Sequence, residues 1–157
     1  MEVENWSADD EQLLMALLNA KARTTDVSKS VNAAALFHDV AKIMSEHCSV
    51  AVTGVDVARK IQALVQEYNS FAWFVAIPEI FFLAERNVLF SSAEYMRRFG
   101  ETESEEHKKF RLEGLPNFLH LREILVVKGL ECVDLEWIIM NLSGADKRWM
   151  RAPVDRA

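Results

Sequence analysis

Apolar side chains recur every three or four positions over most of the chain, and that spacing predicts helices rather than strands. Leu13, Leu14, Leu17 and Leu18 share one face of a first helix that opens at Ser7 and fades near Arg23 to Thr25. Ser7 is placed to cap it, and Asp9, Asp10 and Glu11 fall in its first turn, where negative charge complements the helix dipole. A second helix fits Ser28 or Ser30 to about His47, with Phe37, Val40, Ala41, Ile43 and Met44 as its buried stripe. Thr53-Gly54 marks a turn, after which Val57, Ala58, Ile61, Leu64, Val65 and Tyr68 define a third helix. Pro78 lacks a backbone donor and is expected to break or kink that helix before a further turn through Phe81 to Arg86.

Downstream, Ser91 to Glu94 starts a short helix that Gly100 ends, followed by a polar loop from Glu101 to Glu106. Leu115-Pro116-Asn117 begins another helix, with Phe118, Leu121, Leu125 and Val126 inward and Gly129 at the stop. A last helix fits Asp134 to Leu142, carries Leu135, Ile138, Ile139 and Leu142 on one face, and closes at Gly144. No stretch alternates apolar and polar residues long enough to read as a strand, so the expected class is all-α. The expected division is a three-helix bundle over residues 1–72 and a helical extension over 73–157, packed on the bundle or forming an interface.

Composition narrows the function. Half of the 157 residues are hydrophobic, enough for a sizeable core, and 24 acids against 18 bases leave a net charge of -6. That balance excludes a general nucleic-acid coat but leaves room for a local basic patch. Cys48 and Cys132 are too few for a disulfide framework, which points to a reducing compartment. The opening ten residues are acidic and lack the apolar core of a secretory signal, so a cytosolic or nuclear protein is expected. The most apolar stretch, Phe71 to Phe90, has 15 apolar positions in 20, but its longest unbroken run is the seven residues Phe71 to Ile77. Roughly 20 are needed to span a bilayer, so no membrane role is expected and this stretch is core or interface.

Three segments carry a family resemblance: Trp6-Ser7-Ala8-Asp9-Asp10-Glu11 leading into Leu13-Leu14, Leu36 to Ala41, and Thr53-Gly54 with Lys60 to Leu64 ending at Tyr68. Together they resemble the Myb/SANT-like domain of trihelix-type transcription factors and of proteins related to Harbinger transposon accessory factors. His107 to Arg111 followed by Gly114 to Phe118 and Leu121 is similar to the downstream segment of the same family. The resemblance implies an N-terminal three-helix bundle with additional C-terminal helices, in which one aromatic side chain from each helix packs at the centre. Trp6 and Phe37 resemble two of these, and Ile61 stands where the third, usually Trp, is expected. It also implies a nuclear protein of transcription or chromatin, whose third helix enters the DNA major groove or whose surface holds other proteins.

Charge separates those two roles. From Thr53 to Tyr68 the charges of Asp56, Arg59, Lys60 and Glu67 cancel, and residues 1–72 carry 6 basic and 10 acidic side chains, a net of -4. Groove binders gain much of their affinity from Lys and Arg against phosphate, so duplex DNA is disfavoured. Reading of duplex sequence by Arg59, Lys60 and Gln62 is the alternative, with a solvated helix face as the plainer account of the same residues. Arg97, Arg98, Lys108, Lys109 and Arg111 form a basic surface only if the neighbouring acids do not neutralise them. Lys147, Arg148 and Arg151 beside Trp149 make a third small cluster, which a soluble tail also explains.

Protein contact is the leading expectation. Glu2, Glu4, Asp9, Asp10 and Glu11 suit a basic partner such as a histone or transcription-factor segment. Phe71, Trp73, Phe74, Phe81, Phe82 and Phe90 are 6 of the chain's 15 aromatic residues within 20 positions. Trp73, Phe74, Phe81 and Phe82 are the candidates for a partner helix or for self-association, a core between the bundle and the C-terminal helices being the other destination. Four histidines and two cysteines show no HxxxH, HExxH or CxxC spacing, no Gly-rich phosphate loop or GxSxG elbow is present, and no metal, cofactor or catalytic residue is expected.

Overall fold

Helix α1 (Ala8–Lys21) begins where Ser7 predicts. The Asp10 N–H donates to the Ser7 hydroxyl at 3.1 Å, and the Ser7 N–H donates to Asp10 Oδ2 at 3.1 Å. This reciprocal box satisfies two donors that a helix start otherwise leaves open. The structure, a computed structural model, describes residue 2 and residues 5–48 and 51–144. Helix α2 (Ser30–His47) matches its expected span. At the start of α3 (Gly54–Val75), Asp56 N–H donates to Thr53 Oγ1 at 3.1 Å and Thr53 N–H donates to Asp56 Oδ2 at 2.8 Å. That helix ends three residues before Pro78, as the missing donor requires.

The chain is predominantly helical, but not wholly so. Where a helical turn through Phe81 to Arg86 was expected, two strands, β1 (Ile80–Leu83) and β2 (Val88–Ser91), form an antiparallel hairpin. A 3₁₀ turn over Ala84–Arg86 and Asn87 in the left-handed region at φ 50° make the reversal. Helix α4 (Ala93–Phe99) is capped by Ser92 and ended by Gly100 as expected. Helix α5 (Glu105–Glu113) was not anticipated: Ser104 caps it, and it takes up the end of the expected Glu101–Glu106 loop. Helix α6 (Phe118–Arg122) continues into a π-helical turn at Glu123–Val127, and α7 (Leu135–Ser143) is capped by Asp134.

Among the described residues, those up to Val65 together with those from His120 to Gly144 form one compact unit, and Gln66–Leu119 form a second. The expectation of a bundle over 1–72 and an extension over 73–157 packed on it or forming an interface differs from this grouping in its bounds. The reason is packing: α7 lies against α2, and the Glu123–Val127 turn lies against α1, so the C-terminal helices return to the N-terminal core. Leu14, Leu18, Phe37, Val40, Met44 and Ile61 are buried there with Leu121, Ile124, Leu125 and Ile138. Each such side chain contributes roughly 1.5–3 kcal/mol on burial. Val126, expected inward, is exposed. Gly129 stops the helix at φ 82°, and a Cβ there would sit 3.1 Å from Ser28 Cβ, so both backbone angle and space call for glycine.

The second unit has an aromatic centre. Phe71 meets Phe110 edge to face at 5.2 Å between centroids, and Phe74 meets Tyr95 in the same way at 6.0 Å. Beside them Arg111 donates to both carboxylate oxygens of Glu103, with one contact at 2.9 Å, and the Tyr95 hydroxyl donates to Glu103 Oε2 at 2.6 Å. The Arg111 hydrogen bonds hold the Glu103 carboxyl below its ordinary range. Burial first, then the Glu103 hydrogen bond, pushes the Tyr95 hydroxyl up to about 12.

Candidate functional site

Side chains of a strand alternate between faces, so β1 sends Ile80 and Phe82 one way and Phe81 and Leu83 the other. The inner pair joins the aromatic centre: Ile80 is buried, and Phe82 meets Phe71 at 5.1 Å and Phe118 at 4.9 Å, both edge to face. On the outer face Phe81 stands opposite Phe90 and Leu83 opposite Val88. Phe81 is 59% exposed, Phe90 58% and Leu83 54%. Two neighbouring rows of the hairpin therefore present apolar side chains to solvent.

The hairpin is held from behind. Ser92 N–H donates to Glu79 O at 3.0 Å, Asn87 Nδ2 donates to Leu115 O at 3.2 Å, and Arg98 pairs with Glu79. On α3 the aromatic residues divide by helix face. Trp73 is 80% exposed, whereas Phe74 is fully buried against Tyr95, His107 and Phe110. Of the four aromatic residues expected at an interface, Trp73 and Phe81 are exposed, Phe82 is half-buried against the aromatic centre and Phe74 is fully buried. Phe90 and Leu83 were missed as site residues; two-residue alternation from Phe81 reaches Leu83, but Phe90 joins that face only through the cross-strand register, which the sequence did not show.

The N-terminal acids are partly occupied. Asp9 is exposed, and Asp10 closes the capping box, whose Ser7 backbone N–H holds its carboxyl below the usual range. Cys48 donates to Asp10 Oδ1 at 3.6 Å, and burial pushes its thiol up. Glu11 pairs with Lys60 at 2.5 Å. Glu2 is exposed, and Glu4 lies outside the described residues.

The same pair removes the middle residue of the expected DNA-reading set. Lys60 is only 6% exposed, with its ammonium on Glu11 and 5.9 Å from the Trp6 ring centroid. A buried, paired ammonium is not free for phosphate, because leaving its partner would strand two charges. Arg59 is exposed and Gln62 half-buried. Trp6, Phe37 and Ile61, the three positions matched to the family's central aromatic residues, are all buried. Arg97, Arg98 and Arg111 are neutralised by Glu94, Glu79 and Glu103, and Lys108 and Lys109 stay exposed. The Lys147, Arg148 and Arg151 cluster lies outside the described residues.

One cleft opens in the first unit, with a volume of about 640 Å³. Ala41, Val52, Val55 and Leu142 give it apolar walls, and His38, Lys42 and Glu46 stand a turn apart on α2. Ser45 shapes it by donating to Val52 O and accepting from Val52 N–H, each at 2.9 Å. Among the described residues no three His, Cys, Asp or Glu side chains gather as a metal ion requires, and no helix is long and apolar enough to cross a membrane. No protein-family model, curated protein or solved structure matches this chain.

Proposed function

We propose that this chain is a non-enzymatic, nuclear Myb/SANT-like protein that serves transcription or chromatin regulation by contacting proteins. The observation that carries the contact role is the outer hairpin face, where Phe81, Leu83 and Phe90 are each more than half exposed. Aromatic and aliphatic side chains placed together in water are a costly surface unless a partner covers them. The nuclear role rests on the resemblance of the N-terminal three helices and of the His107 to Leu121 segment. A contact role agrees with the charge: the net of -6 and the loss of Lys60 to Glu11 leave the third helix poorly equipped for phosphate.

Two measurements test this reading. Trp73→Ala with Phe81→Ala removes two exposed aromatic residues and is expected to release proteins that the wild-type chain retains from a nuclear extract, with helical circular dichroism unchanged. Retention of the same proteins by the variant would remove the aromatic contact. Fluorescence anisotropy against mixed-sequence duplex DNA is expected to show no binding even at low salt. Tight binding that falls steeply with salt would move the assignment to DNA reading.

A further inference from the structure

We infer that the cleft of the first unit binds a small zwitterion with apolar side chains, the size of a dipeptide, independently of the hairpin face. The cleft is firmly built. Ala41 and Val52 are buried at its floor, and the two hydrogen bonds between Ser45 and Val52 hold the loop wall against α2. Gly54 closes the far side: a Cβ there would lie 3.2 Å from Leu142 Cδ1 and 3.5 Å from His38 Cα, so the start of α3 packs directly on α2 and α7. The volume of about 640 Å³ falls within the roughly 300–1,000 Å³ of small-molecule sites, which combine apolar walls with a few placed polar groups.

Those polar groups select the ligand. His38, Lys42 and Glu46 follow at four-residue steps along α2, so one wall carries imidazole, ammonium and carboxylate in that order. Lys42 and Glu46 are exposed, and among the described residues neither they nor His38 is held by an ion pair or a side-chain hydrogen bond. Lysine four residues before glutamate is the weaker order for pairing along a helix, because the helix dipole opposes it. Both charges are therefore open to a ligand: its carboxylate meets Lys42 and a His38 ring N–H, and its ammonium meets Glu46. Four residues of helix set the two charged positions about 6 Å apart. Two extended residues span roughly 7 Å, whereas the single residue of a free amino acid spans about half of that and cannot reach both. Ala41, Val52, Val55 and Leu142 then receive the side chains.

Amide NMR of the whole chain, titrated with the dipeptide Leu-Phe at physiological salt, tests this. The expected result is saturable shifts at Ser45, Val52 and Val55 with a dissociation constant between about 10 μM and about 1 mM, the range open to a ligand of this size. Lys42→Met and Glu46→Gln change exposed side chains and leave the fold intact. Each is expected to weaken Leu-Phe binding about fivefold or more by removing a charge-assisted hydrogen bond. Blocked ligands assign each charge to its residue. Leu-Phe amide is expected to bind the wild type and Lys42→Met alike, N-acetyl-Leu-Phe to bind the wild type and Glu46→Gln alike, and both to bind more weakly than Leu-Phe. The absence of saturable shifts up to about 10 mM, or shifts confined to other surfaces, overturns the inference. So does a blocked ligand that binds as tightly as Leu-Phe, or Leu-Phe binding that both variants leave unchanged.

Discussion

The two units cover their apolar surface by different means. In the first, α1, α2 and α7 each bury apolar side chains, and these meet in a shared core around Leu14, Met44 and Ile138. In the second, the hairpin is apolar on both faces, and the aromatic centre covers only the face with Ile80 and Phe82. The first unit also exposes Val127 and Met140, but scattered apolar side chains are ordinary on a protein surface. Phe81 and Phe90 differ in being cross-strand partners, so their exposure is joint. A stripe that finds a neighbour is a fold determinant; a second stripe on the same element is surplus to folding and points to contact.

The strongest test of that contrast is at the aromatic centre. Phe71→Ala removes a fully buried ring in contact with Phe82, Phe110 and Phe118, and an expected loss of about 3–5 kcal/mol would appear in urea denaturation. A loss below about 1 kcal/mol would show that the second unit does not depend on that ring.

Next comes Glu103→Gln, expected to cost about 2–3 kcal/mol at neutral pH because it breaks a nearly buried charge pair. The folded carboxyl is held below its ordinary value, so its contribution is complete above the unfolded Glu value near 4.3 and is lost as pH falls through the folded one. The stability gap between wild type and variant is therefore expected to close on acidification, and a gap constant from pH 7 to pH 3 would rule out that account.

Lys60→Ala is expected to cost about 1–2 kcal/mol, since Glu11 remains partly solvated, and Lys60→Met is expected to recover most of it by keeping the buried stem. Equal losses in the two would make charge rather than packing the dominant contribution. Smallest of all, Phe81→Ser or Phe90→Ser is expected to change monomer stability by no more than about 0.5 kcal/mol. A larger loss would mean that the outer face belongs to the fold.

The sequence carried the helices well because their ends have local chemistry. Ser7, Thr53 with Asp56, Ser92 and Asp134 all cap, and Gly100, Gly129 and Gly144 all stand at helix ends. It did not reveal the hairpin, because alternation is visible only when one face is polar, and Ile80-Phe81-Phe82-Leu83 is apolar throughout. Helix α5 escaped notice for the opposite reason: it buries only Phe110 and shows no stripe. The orientation of Trp73 and Phe74 was present in the spacing. Extending Ile61, Leu64, Tyr68 and Phe71 by three residues reaches Phe74 and leaves Trp73 outside. The burial of Lys60 was not present, because a lysine on a helix pattern carries no mark of the acid that meets it from a helix 49 positions away.

The order of the two units along the chain has a consequence for synthesis. Gln66–Leu119 is one continuous stretch, whereas the first unit is interrupted by it. As the chain leaves the ribosome, α1, α2 and the start of α3 emerge well before the Glu123–Val127 turn and α7 that complete their core. The inserted unit has all its residues first and is able to form its hairpin and aromatic centre while Leu14, Val40 and Met44 still lack their last neighbours. Closing a long loop adds only slowly to the entropic cost, so the delay is mainly one of time, and a nascent chain halted near residue 119 would display the unfinished helical core to chaperones.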